Sequence, residues 1–84
     1  MARQSRFGDR EGSARATRMR GAGYRHMLRF QRVFTKGPWA GDVQHDALPF
    51  VTADDARDWI RDVNAAAKHG KIDYRVTRAT IEVL

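Results

Sequence analysis

Three histidines, His26, His45 and His69, and four aspartates, Asp54, Asp55, Asp58 and Asp62, are the side chains of this chain best suited to metal binding or proton transfer. A transition-metal site needs two or three imidazoles to converge, usually with a carboxylate. The histidines fall on three different expected elements, and no two of them share an i, i+4 helical face. The chain has no cysteine, so thiolate ligands and disulfides are excluded as well. Neither a metal nor a cofactor is expected. Asp58 and Asp62 lie one helical turn apart on a surface face. A working acid–base pair needs surroundings that push its two pKa values apart, and an exposed acidic face does not supply them. Nucleophile-elbow, P-loop, dinucleotide-binding and zinc-peptidase patterns do not occur in the sequence. A chain of 84 residues can barely spare the roughly 300 Å³ of a ligand pocket. These features predict a binding protein without catalytic residues.

Arginine is the residue that can do chemistry here, through hydrogen-bonded capture of anions. Net charge is +6, and its distribution is uneven. Residues 1–32 hold nine arginines against Asp9 and Glu11, a balance of +7, whereas residues 33–84 hold seven basic and eight acidic residues, a balance of −1. Positive charge segregated in this way suits nucleic acid, anionic lipid or an acidic protein surface. It also suits a merely solubilising leader, because charge runs are a permissive signal. The expected contacts to nucleic acid are Arg15, Arg18, Arg20, Arg25, Arg29 and Arg75.

Positioning these groups requires a fold, and the sequence divides near residue 23. Residues 1–23 lack periodicity and carry Gly8, Gly12, Gly21 and Gly23, with Phe7 and Met19 as their large apolar side chains. Such a segment cannot bury enough surface to offset its ordering entropy, so a flexible arginine-rich arm is expected, with Gly21-Ala22-Gly23 as its hinge. Ser13–Arg20 could form a short helix on a partner. The arm contains no apolar stretch of about 7–15 residues of the kind found in secretion signals. Nor does the chain contain the roughly 20 apolar residues of a membrane span, so the expected location is the cytoplasm.

Residues 24–84 are expected to form one compact α+β domain of order β-β-α-β. Tyr24, His26, Leu28 and Phe30 alternate with Arg25, Met27, Arg29 and Gln31, the period of a half-buried strand. A turn over Lys36–Gly41 leads to a second strand over Val43–Val51, and Pro49, lacking an amide proton, places it at a sheet edge. Thr52 can cap a helix whose apolar stripe is Ala56, Trp59, Ile60, Val63 and Ala67, with Gly70 just past its end. In the third strand, from Ile72, the apolar phase of Ile72, Tyr74 and Val76 reverses in Ala79, Ile81 and Val83, so a bulge is expected near Thr77–Arg78. A crossover through the helix puts this strand beside the first. The expected architecture is an antiparallel three-stranded sheet of order 2-1-3 with the helix on one face.

On the other face, Arg25, Arg29, His45, Asp73 and Arg75 are expected to point outward, with Arg29 and Arg75 as possible cross-strand neighbours. Like charges so placed need a counterion, either Asp73 or a phosphate. No aromatic residue joins this set, so contact with nucleic acid would be electrostatic and independent of base sequence. Trp39, in the Gly/Pro loop, either folds back over the hairpin, the favoured reading because an exposed indole costs solubility, or stands out as an anchor for a protein partner. The exposed side of the third strand is the easier route to a homodimer.

The run Phe34-Thr35-Lys36-Gly37-Pro38-Trp39-Ala40-Gly41, with Gly70-Lys71-Ile72-Asp73-Tyr74-Arg75 after the helix, resembles small uncharacterised proteins encoded by actinobacterial phages. The likeness covers residues 24–84 and carries over no functional residue. It implies an accessory protein that binds a host or virion macromolecule, in the host cytoplasm if phage-encoded. Nucleic-acid binding and protein binding are thus the two expected functions.

Overall fold

Three strands and a helix follow from these patterns in a computed structural model that describes residues 17–84. Strand β1 is His26–Phe34, β2 is Val43–Phe50, helix α1 is Ala53–Lys68 and β3 is Tyr74–Val83. The sheet order is β2-β1-β3, and β1 runs antiparallel to both neighbours. This is the expected α+β architecture, a single small domain with its helix on one face.

Alternation along β1 sets the core. His26, Leu28, Phe30, Arg32 and Phe34 share the helix-covered face, opposite Phe50, Leu48 and Asp46 on β2 and Val83, Ile81, Val76 and Tyr74 on β3. Leu28, Phe30, Ala56 and Val76 are buried, and Trp59, Ile60 and Val63 of the helix stripe pack against them. Trp59 meets Phe30 with ring centroids 5.1 Å apart and Phe50 at 6.2 Å, in tilted contacts that suit aromatic quadrupoles. The Thr52 hydroxyl accepts from the Asp55 N–H at 3.0 Å, and Asp54 and Asp55 occupy the first turn, where the helix dipole favours negative charge. Gly70, with φ 72°, closes the other end: Lys71 N–H donates to the Ala66 carbonyl and Gly70 N–H to the Ala67 carbonyl.

The bulge stands where the phase reversal required it. Arg29 lies opposite Thr80 and Gln31 opposite Thr77, so two β3 residues, Arg78 and Ala79, face the single β1 residue Phe30. The extra residue lets both Val76 and Ile81 reach the core. Arg78 absorbs the turn with φ 49°, a left-handed conformation costing an L-residue with a β-carbon roughly 1–2 kcal/mol.

A helical turn precedes the sheet. Residues 17–21 are helical, and Gly21-Ala22-Gly23 is their C-terminal cap rather than a hinge. Tyr24 N–H donates to the Met19 carbonyl and Gly23 N–H to the Arg20 carbonyl, with Gly23 at φ 101°. Arg15 and the rest of the expected arm lie outside the described residues. Among those described, no helix is long and apolar enough to cross a membrane.

Candidate nucleic-acid interface

The face of the sheet away from α1 carries the alternate residues of the same three strands; Met27, at the start of β1, is buried there, and Arg29 beyond it is exposed. β1 contributes Met27, Arg29, Gln31 and Val33; β2 contributes Val43, His45, Ala47 and Pro49; β3 contributes Arg75, Thr77, Thr80 and Glu82. Apart from His45 no ring stands among them, so bases have no stacking platform. What the face offers is hydrogen-bond donors and positive charge.

Arg29 and Arg75 both lie on this side, but they are not cross-strand neighbours. Arg29 is opposite Thr80 and Arg75 opposite Val33, four residues further along β1 and hence about 13 Å away. The crossover through α1 sets this register and the bulge shifts it by one residue, neither of which strand alternation alone contains. Arg29 instead meets Glu82, Nε to carboxylate at 3.1 Å, with both side chains more than half exposed. A pair this exposed contributes about 0–1 kcal/mol, so Glu82 orients Arg29 more than it stabilises the fold. Asp73, proposed as a counterion, precedes β3, where its carbonyl accepts from Thr35 N–H at 2.8 Å.

Sequence reasoning missed Arg78. It joins Arg29, Gln31, His45, Ala47 and Thr80, with Phe30 and Asp46 also in the lining, around a shallow hollow of about 520 Å³ on the face away from α1. Arg75 and Arg78 make no ion pair among the described residues. The phase reversal that announced the bulge was the available signal for Arg78, since a bulged residue leaves the alternation and can be turned to either face.

The N-terminal arginines sit at the end of the sheet where β1 begins. Arg18 is exposed, and Arg20 donates to the Thr17 hydroxyl at 3.3 Å. Arg25 is partly committed to structure: its Nη1 donates to the carbonyls of Arg20 at 3.1 Å and Tyr24 at 2.9 Å, clamping the cap of the short helix. Arg32, which the charge count placed with the leader, turns to the helix side instead. It pairs with Asp46 at 2.7 Å, and its guanidinium lies 4.6 Å from the Tyr74 ring centroid, a partly buried cation–π contact.

The carboxylates of α1 are balanced on the helix itself. Asp54 pairs with Arg57 at 2.8 Å, and Asp58 and Asp62 pair with Arg61 at 3.2 and 3.6 Å. The histidines are spread over the fold: His26 is on the helix-covered face, His45 on the open face and His69 at the C-cap of α1. Among the described residues no three metal-ligating side chains form a group.

No family model, curated protein or solved structure matches the chain.

Two further expectations meet specific geometry. Trp39 does not fold back; it is 62% exposed at the hairpin tip, beside Phe34, Asp42, Val43 and Asp73. Gly37 and Gly41, with φ of 83° and 90°, bend the loop so that Asp42 N–H donates to the Trp39 carbonyl at 2.9 Å, which fixes the indole outside the core. The outer edge of β3, the expected route to a homodimer, is obstructed at Val76. The hydrogen bonds from Thr35 to Asp73 and from Leu84 to Arg25 set the pairing alternation, which leaves the main-chain groups of Val76 pointing away from β1. Asn64 of α1 takes both: its Oδ1 accepts from Val76 N–H at 2.8 Å and its Nδ2 donates to the Val76 carbonyl at 3.2 Å.

Proposed function

We propose that this chain is a non-enzymatic binding module that contacts nucleic acid through its phosphate backbone. The observation that carries this reading is the sheet face away from α1, which presents Arg29, Arg75 and Arg78 among Gln31, Thr77, Thr80 and His45, with Glu82 held by Arg29 and Asp46 held by Arg32. In the sequence, Arg15, Arg18, Arg20 and Arg25 precede the first strand and add to the positive charge. Guanidinium groups bond phosphate oxygens with directed, charge-assisted hydrogen bonds, and such contacts position a protein without reading sequence. The absence of aromatic platforms from this face argues for indifference to base identity. The protein would act in the cytoplasm, that of the host if it is phage-encoded.

The test is a titration with duplex DNA and with RNA at two salt concentrations. Neutralising about four phosphates gives a log–log salt slope of roughly −3.6 on duplex DNA. No binding at low salt, the most permissive condition, would exclude the reading.

Trp39 favours a second reading, an accessory protein that binds a host or virion protein. An indole standing 62% exposed beside Val43, itself 51% exposed, is the kind of group that anchors protein interfaces. Capture from nuclease-treated host lysate separates the two: one protein retained at simple stoichiometry and lost in Trp39→Ala supports this alternative.

A further inference from the structure

The bulge in β3 is required by packing, but an arginine at its left-handed position is not. Val76 and Ile81 both reach the core because one residue between them is extra, and that residue adopts φ 49° at Arg78. Glycine takes this conformation without strain, and asparagine or aspartate tolerate it better than a long side chain does. Strain kept at one residue while the surrounding structure fixes it suits a side chain with work to do. Here the strained residue lines the hollow on the open face.

The lining is selective in its chemistry. Arg78 brings a guanidinium with no ion pair among the described residues. Arg29 is bonded to Glu82 through Nε, which leaves its terminal amino groups for another acceptor. Gln31, His45 and Thr80 add an amide, an imidazole and a hydroxyl, while the small side chain of Ala47 gives the hollow its depth. The carboxylate at its border, Asp46, is already engaged: Oδ2 accepts from Arg32 at 2.7 Å and Oδ1 from Ala47 N–H at 2.8 Å. Two guanidiniums among polar donors match a group made of acceptors and negative charge. The hollow is open to solvent, a shape that admits a group carried on a passing chain.

We propose that the hollow formed by Arg29, Gln31, His45, Arg78 and Thr80 seats one phosphodiester group of a nucleic-acid strand crossing the sheet, with Arg78 as its principal ligand. This rests on the nucleic-acid reading above and adds a defined seat to it: the affinity depends on which arginine is present, not only on how many.

Arg78→Gly and Arg75→Ala test this in the full chain. Each removes one positive charge from β3, but Arg75 lies outside the hollow and glycine at position 78 relieves the backbone. Arg78→Gly should keep or raise the melting temperature while weakening binding to a short mixed-sequence DNA duplex about tenfold, the loss of one well-made charged contact. Arg75→Ala should weaken it less than about threefold, as a nonspecific screening charge does. Amide NMR signals of Gln31, His45, Arg78 and Thr80 should move first on adding the duplex. Equal losses in the two variants would overturn the seat and leave the nucleic-acid reading standing. A wild-type protein that binds no duplex at low salt would remove both, even if inorganic phosphate moved the same signals.

Discussion

The two faces of this sheet are built from the same three strands, residue by alternating residue, and they behave as different materials. On the helix side, Leu28, Phe30, Val76 and the rings of Phe50, Trp59 and Tyr74 interlock, and even the arginine there, Arg32, is held between Tyr74 and Asp46. On the other side, adjacent positions such as Arg29 and Gln31 meet solvent or polar neighbours, and the one ion pair, Arg29–Glu82, is more than half exposed. Apart from Met27, which is buried on the far side, one face is committed to holding the chain together, and the other keeps bonding capacity to spare. In a domain this small the core has little margin, so side chains kept out of it are positioned by the fold without supporting it.

The sharpest way to break that contrast is to substitute neighbours on β1. Leu28→Ala empties a fully buried site and should cost about 3 kcal/mol in denaturant unfolding, enough to unfold a marginal domain. Arg29→Ala, one residue along, should cost under about 0.5 kcal/mol in the same measurement. A comparable loss at both positions would mean that the open face is structural after all. Between these extremes, Asn64→Ala strips Val76 of both side-chain partners and should cost about 2 kcal/mol. Hydrogen exchange checks the cause, because the Val76 amide should lose its protection while Leu28 keeps its own. Thr52→Ala removes the N-cap of the helix that makes one face different from the other, and should lower stability by about 1 kcal/mol, seen as a reduced melting temperature. Smallest of all, Glu82→Gln should leave stability within about 0.5 kcal/mol while freeing Arg29, and should tighten binding to DNA at low salt.

Much of the architecture was legible because it rests on local rules. Alternation from Tyr24 to Phe30, the cap at Thr52, the stripe through Trp59 and the reversal after Val76 each name a short-range constraint, and together they imply the topology. The site was less legible because it depends on register. Placing Arg75 beside Val33 and not beside Arg29 takes the offset of β3 along β1, which the bulge adjusts by one residue, a non-local quantity that alternation within one strand does not contain. Arg78 went unnoticed for the same reason: its direction follows from a left-handed φ, which composition favours for glycine and not for arginine. Gly21 to Gly23 looked like a hinge because glycine serves both freedom and helix capping, and only the bonds from Gly23 and Tyr24 back to Arg20 and Met19 distinguish them. Trp39 was misjudged on solubility, an average tendency that the turns at Gly37 and Gly41 override.

The way the two margins of the sheet are finished bears on what kind of guest it can accept. Pro49 has no amide proton, the Ala47 amide is taken by Asp46, and on the far margin Val76 is answered by Asn64. A ribbon from another molecule that tried to dock sideways as a fourth strand would find three of its anchor points missing or already used. These margins favour a visitor that lands flat, from above, and recognises the side chains standing up from the pleat.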